Sequence, residues 1–217
     1  MPRPGLFVVL EGIDGAGTTT QAERLRAWFA AARRPVHVTR EPSVGPVGSL
    51  LRLVLTQRTN LPGTYHSQTM ALLFAADRLD HAAAEIEPHL RDGTVVISDR
   101  YDLSSIVYQS VTASSEPDEQ ARVASWVREL NRYAPRPDVT VVLDVRPEVA
   151  AQRRRARGGA VELFEEGALQ VRLAEGYRRA HTLLPEGDRL VVLDGNGSPD
   201  EVAERLIGVL EPLAVRP

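Results

Sequence analysis

The chain has 217 residues, 43% hydrophobic and 25% charged, with a net charge of −3: the balance of one soluble globular domain, not of a disordered or fibrous chain. The slight acidity argues against wholesale binding to nucleic acid or an anionic membrane, and the absence of cysteine excludes disulfides, thiolate metal sites and cysteine nucleophiles. With no signal peptide and no apolar stretch long enough to span a bilayer, the expected location is cytoplasmic.

In chain order, the first predicted strand is Leu6–Leu10, followed by Glu11-Gly12-Ile13-Asp14-Gly15-Ala16-Gly17-Thr18-Thr19-Thr20 and a helix over Thr19–Ala32. Further strands are expected at Pro35–Thr39, Thr94–Ser98, Val139–Leu143 and Leu190–Leu193. Helices are expected near Val47–Thr56 and at His66–Arg91, Pro117–Tyr133, Pro147–Arg157, Phe164–Leu184 and Pro199–Leu213. Strands separated by helix-length crossovers predict a parallel α/β sheet with helices on both faces. Glu11, Thr39-Arg40-Glu41, Ser98-Asp99-Arg100, Asp144 and Asp194 cluster polar groups at strand ends, where open sheets place their ligands. Pro135-Arg136-Pro137 reads as a loop, so residues 1–217 form a single domain.

The segment Gly12 to Thr19 has the spacing of a phosphate-binding loop, G-x-x-x-x-G-K-[ST], with Thr18 where the pattern has lysine. Gly12, Ile13, Asp14, Gly15, Ala16, Gly17, Thr18, Thr19 and Thr20 are therefore the candidate ATP-binding stretch. Backbone N–H groups and the positive end of the following helix would meet the phosphates, and the Thr19 hydroxyl is placed for Mg²⁺. Gly12, Gly15 and Gly17 do not match dinucleotide-binding spacing. Every one of the 26 basic residues is arginine. Base-composition bias accounts for most of that, yet bias alone predicts Arg at position 18.

Phe74 and Arg78 stand four apart on one helix face, so an aromatic plane and a fork-shaped donor address the same small, flat ligand. Phe74 by itself reads as core packing, a preference its pairing with Arg78 reverses, and Arg52 reads equally as a solvated helix charge.

Taken together, Glu11 to Gly17, Thr39-Arg40-Glu41-Pro42, Leu72-Leu73-Phe74-Ala75-Ala76-Asp77-Arg78 and Asp99-Arg100-Tyr101, with Ser104-Ser105 and Tyr108-Gln109 close behind, resemble bacterial thymidylate kinase from the first strand to about Tyr177. The resemblance implies a P-loop NTPase three-layer sandwich with five parallel strands, phosphoryl transfer from ATP to dTMP, Mg²⁺ as cofactor and a homodimer. It implies that Phe74 stacks on thymine while Arg78 reads an exocyclic oxygen, and that Arg100, helped by Arg52, holds the acceptor phosphate. By the same resemblance, Asp99 would help organise Mg²⁺ or its water shell. Ser105, Tyr108 and Gln109 resemble the set that touches the base and packs beneath the sugar, and Asp14 and Glu41 match family acidic residues near the sugar and the metal-bound region. A dTMP-binding protein without transfer, or a kinase for another deoxynucleoside monophosphate, stays open.

Arg153-Arg154-Arg155-Ala156-Arg157-Gly158-Gly159 resembles the family's basic lid entry, giving a lid at about 153–165. Glu162 and Leu163 stand where that family has an Asp-Arg pair. Arg155 and Arg157, with Arg153 and Arg154, are the expected substitutes for the charge absent from position 18, and Asp14, Arg100, Arg155 and Arg157 form the candidate catalytic set.

Overall fold

In the computed structural model, residues 4–158, 167–184 and 186–214 are described, the side chain of Arg157 excepted. Five strands, β1 (Phe7–Glu11), β2 (Val36–Arg40), β3 (Val95–Asp99), β4 (Val139–Asp144) and β5 (Leu190–Asp194), form one parallel sheet in the order β2-β3-β1-β4-β5. The central strand β1 is buried along its whole length, as a continuous apolar run covered on both faces requires. Its side chains alternate: Leu6, Val8 and Leu10 enter the main core, whereas Phe7 and Val9 join Ile86, Leu90, Val96, Tyr101 and Ala134 on the other face. The chain thus builds three layers.

Nine α-helices are present among the described residues: α1 (Thr18–Ala31), α2 (Pro46–Leu55), α3 (His66–His81), α4 (Glu87–Arg91), α5 (Asp102–Ala113), α6 (Pro117–Leu130), α7 (Pro147–Arg157), α8 (Gly167–Arg178) and α9 (Pro199–Ala214). Strands β1, β2 and β3 begin one residue later than the apolar pattern suggests, β4 and β5 begin where it does, and all five continue through the next polar residue. Ladder pairing, not hydropathy, decides this: Leu10 and Arg40 both register with Asp99, and Asp144 with Asp194. The result is a row of polar residues along one edge of the sheet.

The helix expected over His66–Arg91 is interrupted by a π-helical turn at Ala82–Ile86. Pro88 lies two residues beyond it. A proline lacks the N–H for the ladder and its ring crowds the carbonyl four residues back, which a widened turn accommodates. Helix α5 was not expected at all. Its Ile, Val and Thr content blurs the helical signal, and its N-terminus is held from a distance: the Glu11 carboxylate accepts from the backbone N–H of Tyr101 at 2.9 Å and of Ser104 at 3.1 Å. Helix α6 stops at Leu130, short of Tyr133, and α8 passes after Arg178 into a 3-10 turn at Ala180–Thr182. The expected start at Phe164, and residues 159–165 of the lid, lie outside the described residues.

Candidate active site

The carboxyl edge of the sheet opens into a cavity of about 720 Å³. Beyond β1 the chain turns through Gly15 at φ 87° and Gly17 at φ 98°, left-handed values that glycine adopts without a Cβ penalty. Gly17 is also the N-cap of α1 and gives it no side-chain cap. The amides of Gly15 and Gly17 donate to no group among the described residues, so the loop presents unpaired N–H groups beside a helix N-terminus. Thr18 is buried at the head of this helix and Thr20 is exposed; both line the cavity.

The Thr19 hydroxyl donates to Asp99 Oδ2. The other carboxylate oxygen, Asp99 Oδ1, is buried without a partner among the described residues. An oxygen-only pair with one unsatisfied carboxylate oxygen fits Mg²⁺, which takes one or two protein oxygens and completes its shell with water and substrate phosphates. No group of three or more His, Cys, Asp or Glu that could hold a metal occurs among the described residues, which that mode of binding does not need.

At the end of β3, Arg100 sits at φ 75°, a conformation rare outside glycine and often found where function constrains the backbone. Its guanidinium donates to Asp14 Oδ1 at 2.6 Å, to the Gly12 carbonyl at 2.9 Å, to Ser104 Oγ at 3.1 Å and to the Tyr177 hydroxyl at 3.2 Å. The same Asp14 accepts from the Tyr108 hydroxyl at 3.0 Å and from Gln170 Nε2 at 2.9 Å, and its N–H reaches Gln170 Oε1 at 3.2 Å. Glu11 lies beneath, accepting from Ser104 Oγ at 2.5 Å and from the Tyr177 hydroxyl at 3.2 Å. Burial pushes the Glu11 carboxyl up to about 7, despite the Ser104 hydroxyl, the nearby Arg100 charge and the two backbone donors that favour its ionised form.

On the opposite wall α3 brings Phe74, half-buried, and Arg78, fully buried. Arg78 donates to Glu41 Oε2 at 2.6 Å, to Asn131 Oδ1 at 2.5 Å, and to the Tyr101 carbonyl and Ser105 Oγ at 3.0 Å each. A buried guanidinium needs such pairing, and here it gathers β2, α5 and α6 around one point. Arg52 of α2 reaches the Pro42 carbonyl at 2.8 Å, so it is held at the cavity rather than free in solvent. Gln109 is buried and lines the same space.

The arginine-rich end of α7 packs against the glycine loop, and Arg153 and Arg154 line the cavity with it. Arg153 donates to the Ala16 carbonyl at 3.0 Å and to the carbonyls of Gly195 at 3.1 Å and Gly197 at 2.9 Å. Arg154 donates to the Asp14 carbonyl. Of the residues singled out from the sequence for ATP or dTMP, all line the cavity except Gly12 and Ile13, which are buried at the start of the loop. Arg155 is exposed and not part of the lining, while the side chain of Arg157 lies outside the described residues. Gln170, Tyr177 and Glu11 were not singled out as site residues. The sequence signals for Glu11 were its place at a strand end and at the head of the glycine-loop motif, and none marked Gln170, 156 residues from its partner Asp14.

A parallel sheet whose central strand runs into an open glycine loop, with a Thr–Asp pair beside it, defines a P-loop α/β protein built to hold nucleotide phosphates. The chain belongs to the thymidylate kinase family, whose pattern matches residues 10–206. It is 37% identical over 211 residues to the "Probable thymidylate kinase" of Thermococcus gammatolerans, covering 95% of this chain and 96% of that one. The protein of the same name from Pyrobaculum aerophilum is 39% identical over 199 residues, 91% and 92% of the two chains. A third, from Pyrococcus abyssi, is 35% identical over 208 residues, 95% and 96%. These relatives are archaeal, so the match gives the family as a whole and not its bacterial members.

Proposed function

We propose that this protein transfers the γ-phosphoryl group of ATP to dTMP, forming ADP and dTDP. The observation that carries the reading is Arg100: one guanidinium spans the Gly12 carbonyl of the phosphate loop and the Asp14 carboxylate that faces Tyr108. Donor and acceptor phosphates therefore share a wall of one cavity. In this reading the thymine lies against Phe74 and within reach of Arg78, Ser105 and Gln109, while Arg100 and Arg52 hold the dTMP phosphate. Tyr108 beneath the sugar disfavours a ribose 2′-hydroxyl.

A phosphate oxygen of dTMP attacks the γ-phosphorus in line, the bond to the bridging β–γ oxygen breaks, and ADP leaves with the electron pair. The protein supplies positioning and preorganised donors rather than covalent chemistry. Mg²⁺ held near Thr19 and Asp99 would offset charge on the donor phosphates. Thr18 is read as replacing the P-loop lysine, and the lid at about 153–165 as part of one domain spanning 1–217.

A homodimer is part of the same reading. It is supported by exposed leucines on neighbouring helices, Leu72 and Leu79 seven residues apart on α3 and Leu50 and Leu53 on α2. Among the described residues no helix is long and apolar enough to cross a membrane. A cytoplasmic location goes with free nucleotides as substrates.

The deciding measurement is ADP release by purified protein with ATP, Mg²⁺ and dTMP, repeated with dUMP, dCMP and dGMP in competition. dTMP-dependent ADP release supports the reading. Tight dTMP binding without it overturns transfer, and faster turnover of another monophosphate overturns the substrate.

A further inference from the structure

A glycine-rich loop binds phosphate only while its peptide planes present N–H, not C=O, to the ligand. Glycine gives little resistance to the opposite orientation, because it populates positive and negative φ about equally. In a trans peptide the C=O and N–H lie on opposite sides of the bond, so whatever holds the oxygen aims the hydrogen. Two peptide units matter here: Asp14–Gly15 and Ala16–Gly17. Their N–H ends have no partner among the described residues, and their C=O ends are each held by an arginine of α7.

Arg154 holds the Asp14 carbonyl, and Arg153 holds the Ala16 carbonyl at 3.0 Å. The packing is close. A Cβ on Gly15 would meet the Ala150 carbonyl and stand 3.0 Å from Arg154 Cγ, and one on Gly17 would stand 3.8 Å from Arg153 Nη1. Arg153 is itself fixed by the carbonyls of Gly195 and Gly197, which follow β5, so the clamp is anchored to the sheet's far edge. Both arginines line the same cavity as Thr18, whose loop has no cation of its own.

We propose that Arg153 and Arg154, which line the cavity, are the positioning residues of the phosphate loop: they grip the Ala16 and Asp14 carbonyls, keep the Gly17 and Gly15 N–H groups turned into the cavity, and place there the positive charge that Thr18 lacks. This rests on the reading of the loop as the donor-phosphate site. It assigns the compensating charge to the two arginines that touch the loop rather than to Arg155. A guanidinium on a carbonyl also polarises the peptide, which strengthens its N–H as a donor.

The test uses the full-length protein and calorimetric binding of MgADP and, separately, dTMP, with thermal melting as the folding control. Arg154→Met and Arg153→Met keep the aliphatic stem and remove the donors; Arg154→Lys and Arg153→Lys restore one donor and the charge. Each Met variant is expected to bind MgADP about tenfold to a hundredfold more weakly, the range for a charge-assisted hydrogen bond, with dTMP affinity within about twofold of the parent. The Lys variants are expected to recover most of the loss. Unchanged MgADP affinity, equal weakening of both ligands, or Lys variants no better than Met overturn the proposal. Should a Met variant fail to fold, Gln at that position replaces it under the same criteria. Thr18→Lys added to Arg154→Met is expected to regain MgADP affinity, and no gain overturns the tie to position 18. A parent protein that binds no MgADP overturns the phosphate-loop reading itself, whereas parent binding with unaffected Met variants overturns the clamp alone.

Discussion

Arg100 donates to Asp14 Oδ1 at 2.6 Å, and 86 residues of sequence separate the two. The pair joins the end of β3 to the glycine loop, and Tyr108 and Gln170 close on the remaining Asp14 oxygen. In the proposed reading, the acceptor-side cation is therefore oriented by the donor-side loop.

Asp14→Asn keeps the shape and removes the charge that three donors share. Arg100 then loses its fixed direction, and dTMP affinity is expected to fall by about 1.5–3 kcal/mol, the range for hydrogen bonds to charged groups. Calorimetric titration with dTMP reads this directly. Unaltered affinity would mean that Ser104, Tyr177 and the Gly12 carbonyl orient Arg100 without Asp14.

Glu41 and Arg78 form a buried pair at 2.6 Å, with side chains 3% and 1% exposed. Removing one partner leaves a charge in a low-dielectric site, so Glu41→Ala is expected to destabilise the fold by about 3–5 kcal/mol. Urea unfolding monitored by circular dichroism measures it. A loss below about 1 kcal/mol would show that Asn131, Ser105 and the Tyr101 carbonyl suffice for Arg78.

Glu11 titrates near 7 in the folded protein against an ordinary value of 4.5. Between these values the folded state keeps a proton that the unfolded chain releases. The contribution of this group is thus fully present below about pH 4.5 and is lost as pH rises through 7. The swing is about 3 kcal/mol. Glu11→Gln, which cannot ionise, is expected to show a smaller decline in urea stability from pH 5 to pH 8 than the parent. Parallel stability–pH curves for the two proteins would remove Glu11 as the source.

Thr19 and Asp99 make the metal expectation concrete. Thr19→Val is expected to cut the gain in ADP affinity that Mg²⁺ confers by about tenfold or more, while ADP binding in chelator and dTMP binding stay near the parent's. Equal losses with and without Mg²⁺ would place Thr19 on the phosphates instead.

Much of the fold was legible in order. The apolar runs at positions 6–10, 94–98 and 139–143, with helix-length spacers, fix a parallel sheet because a buried strand must be apolar on both faces. The glycine spacing and Thr19 located the phosphate loop, and Phe74 with Arg78 located the opposite wall. Helix α5 was not legible, since its N-terminal amides are held by Glu11, 90 and 93 residues earlier. Nor was the π-helical turn at Ala82–Ile86, whose cause, Pro88, sits inside an otherwise uninterrupted helical pattern.

What the sequence by itself determined is local chemistry: which groups were on offer, that lysine was absent from the loop, and that arginines crowded the end of α7. Spacing along the chain carries that much because helices, strands and turns depend on neighbours. Only the tertiary structure decided which arginine met which partner. Arg153 and Arg154 fall on the loop carbonyls while Arg155, one residue on, faces solvent. A helix turns its side chains through about a hundred degrees per residue, so only some of four clustered arginines can face the sheet. The crossover from β4 determines which ones do.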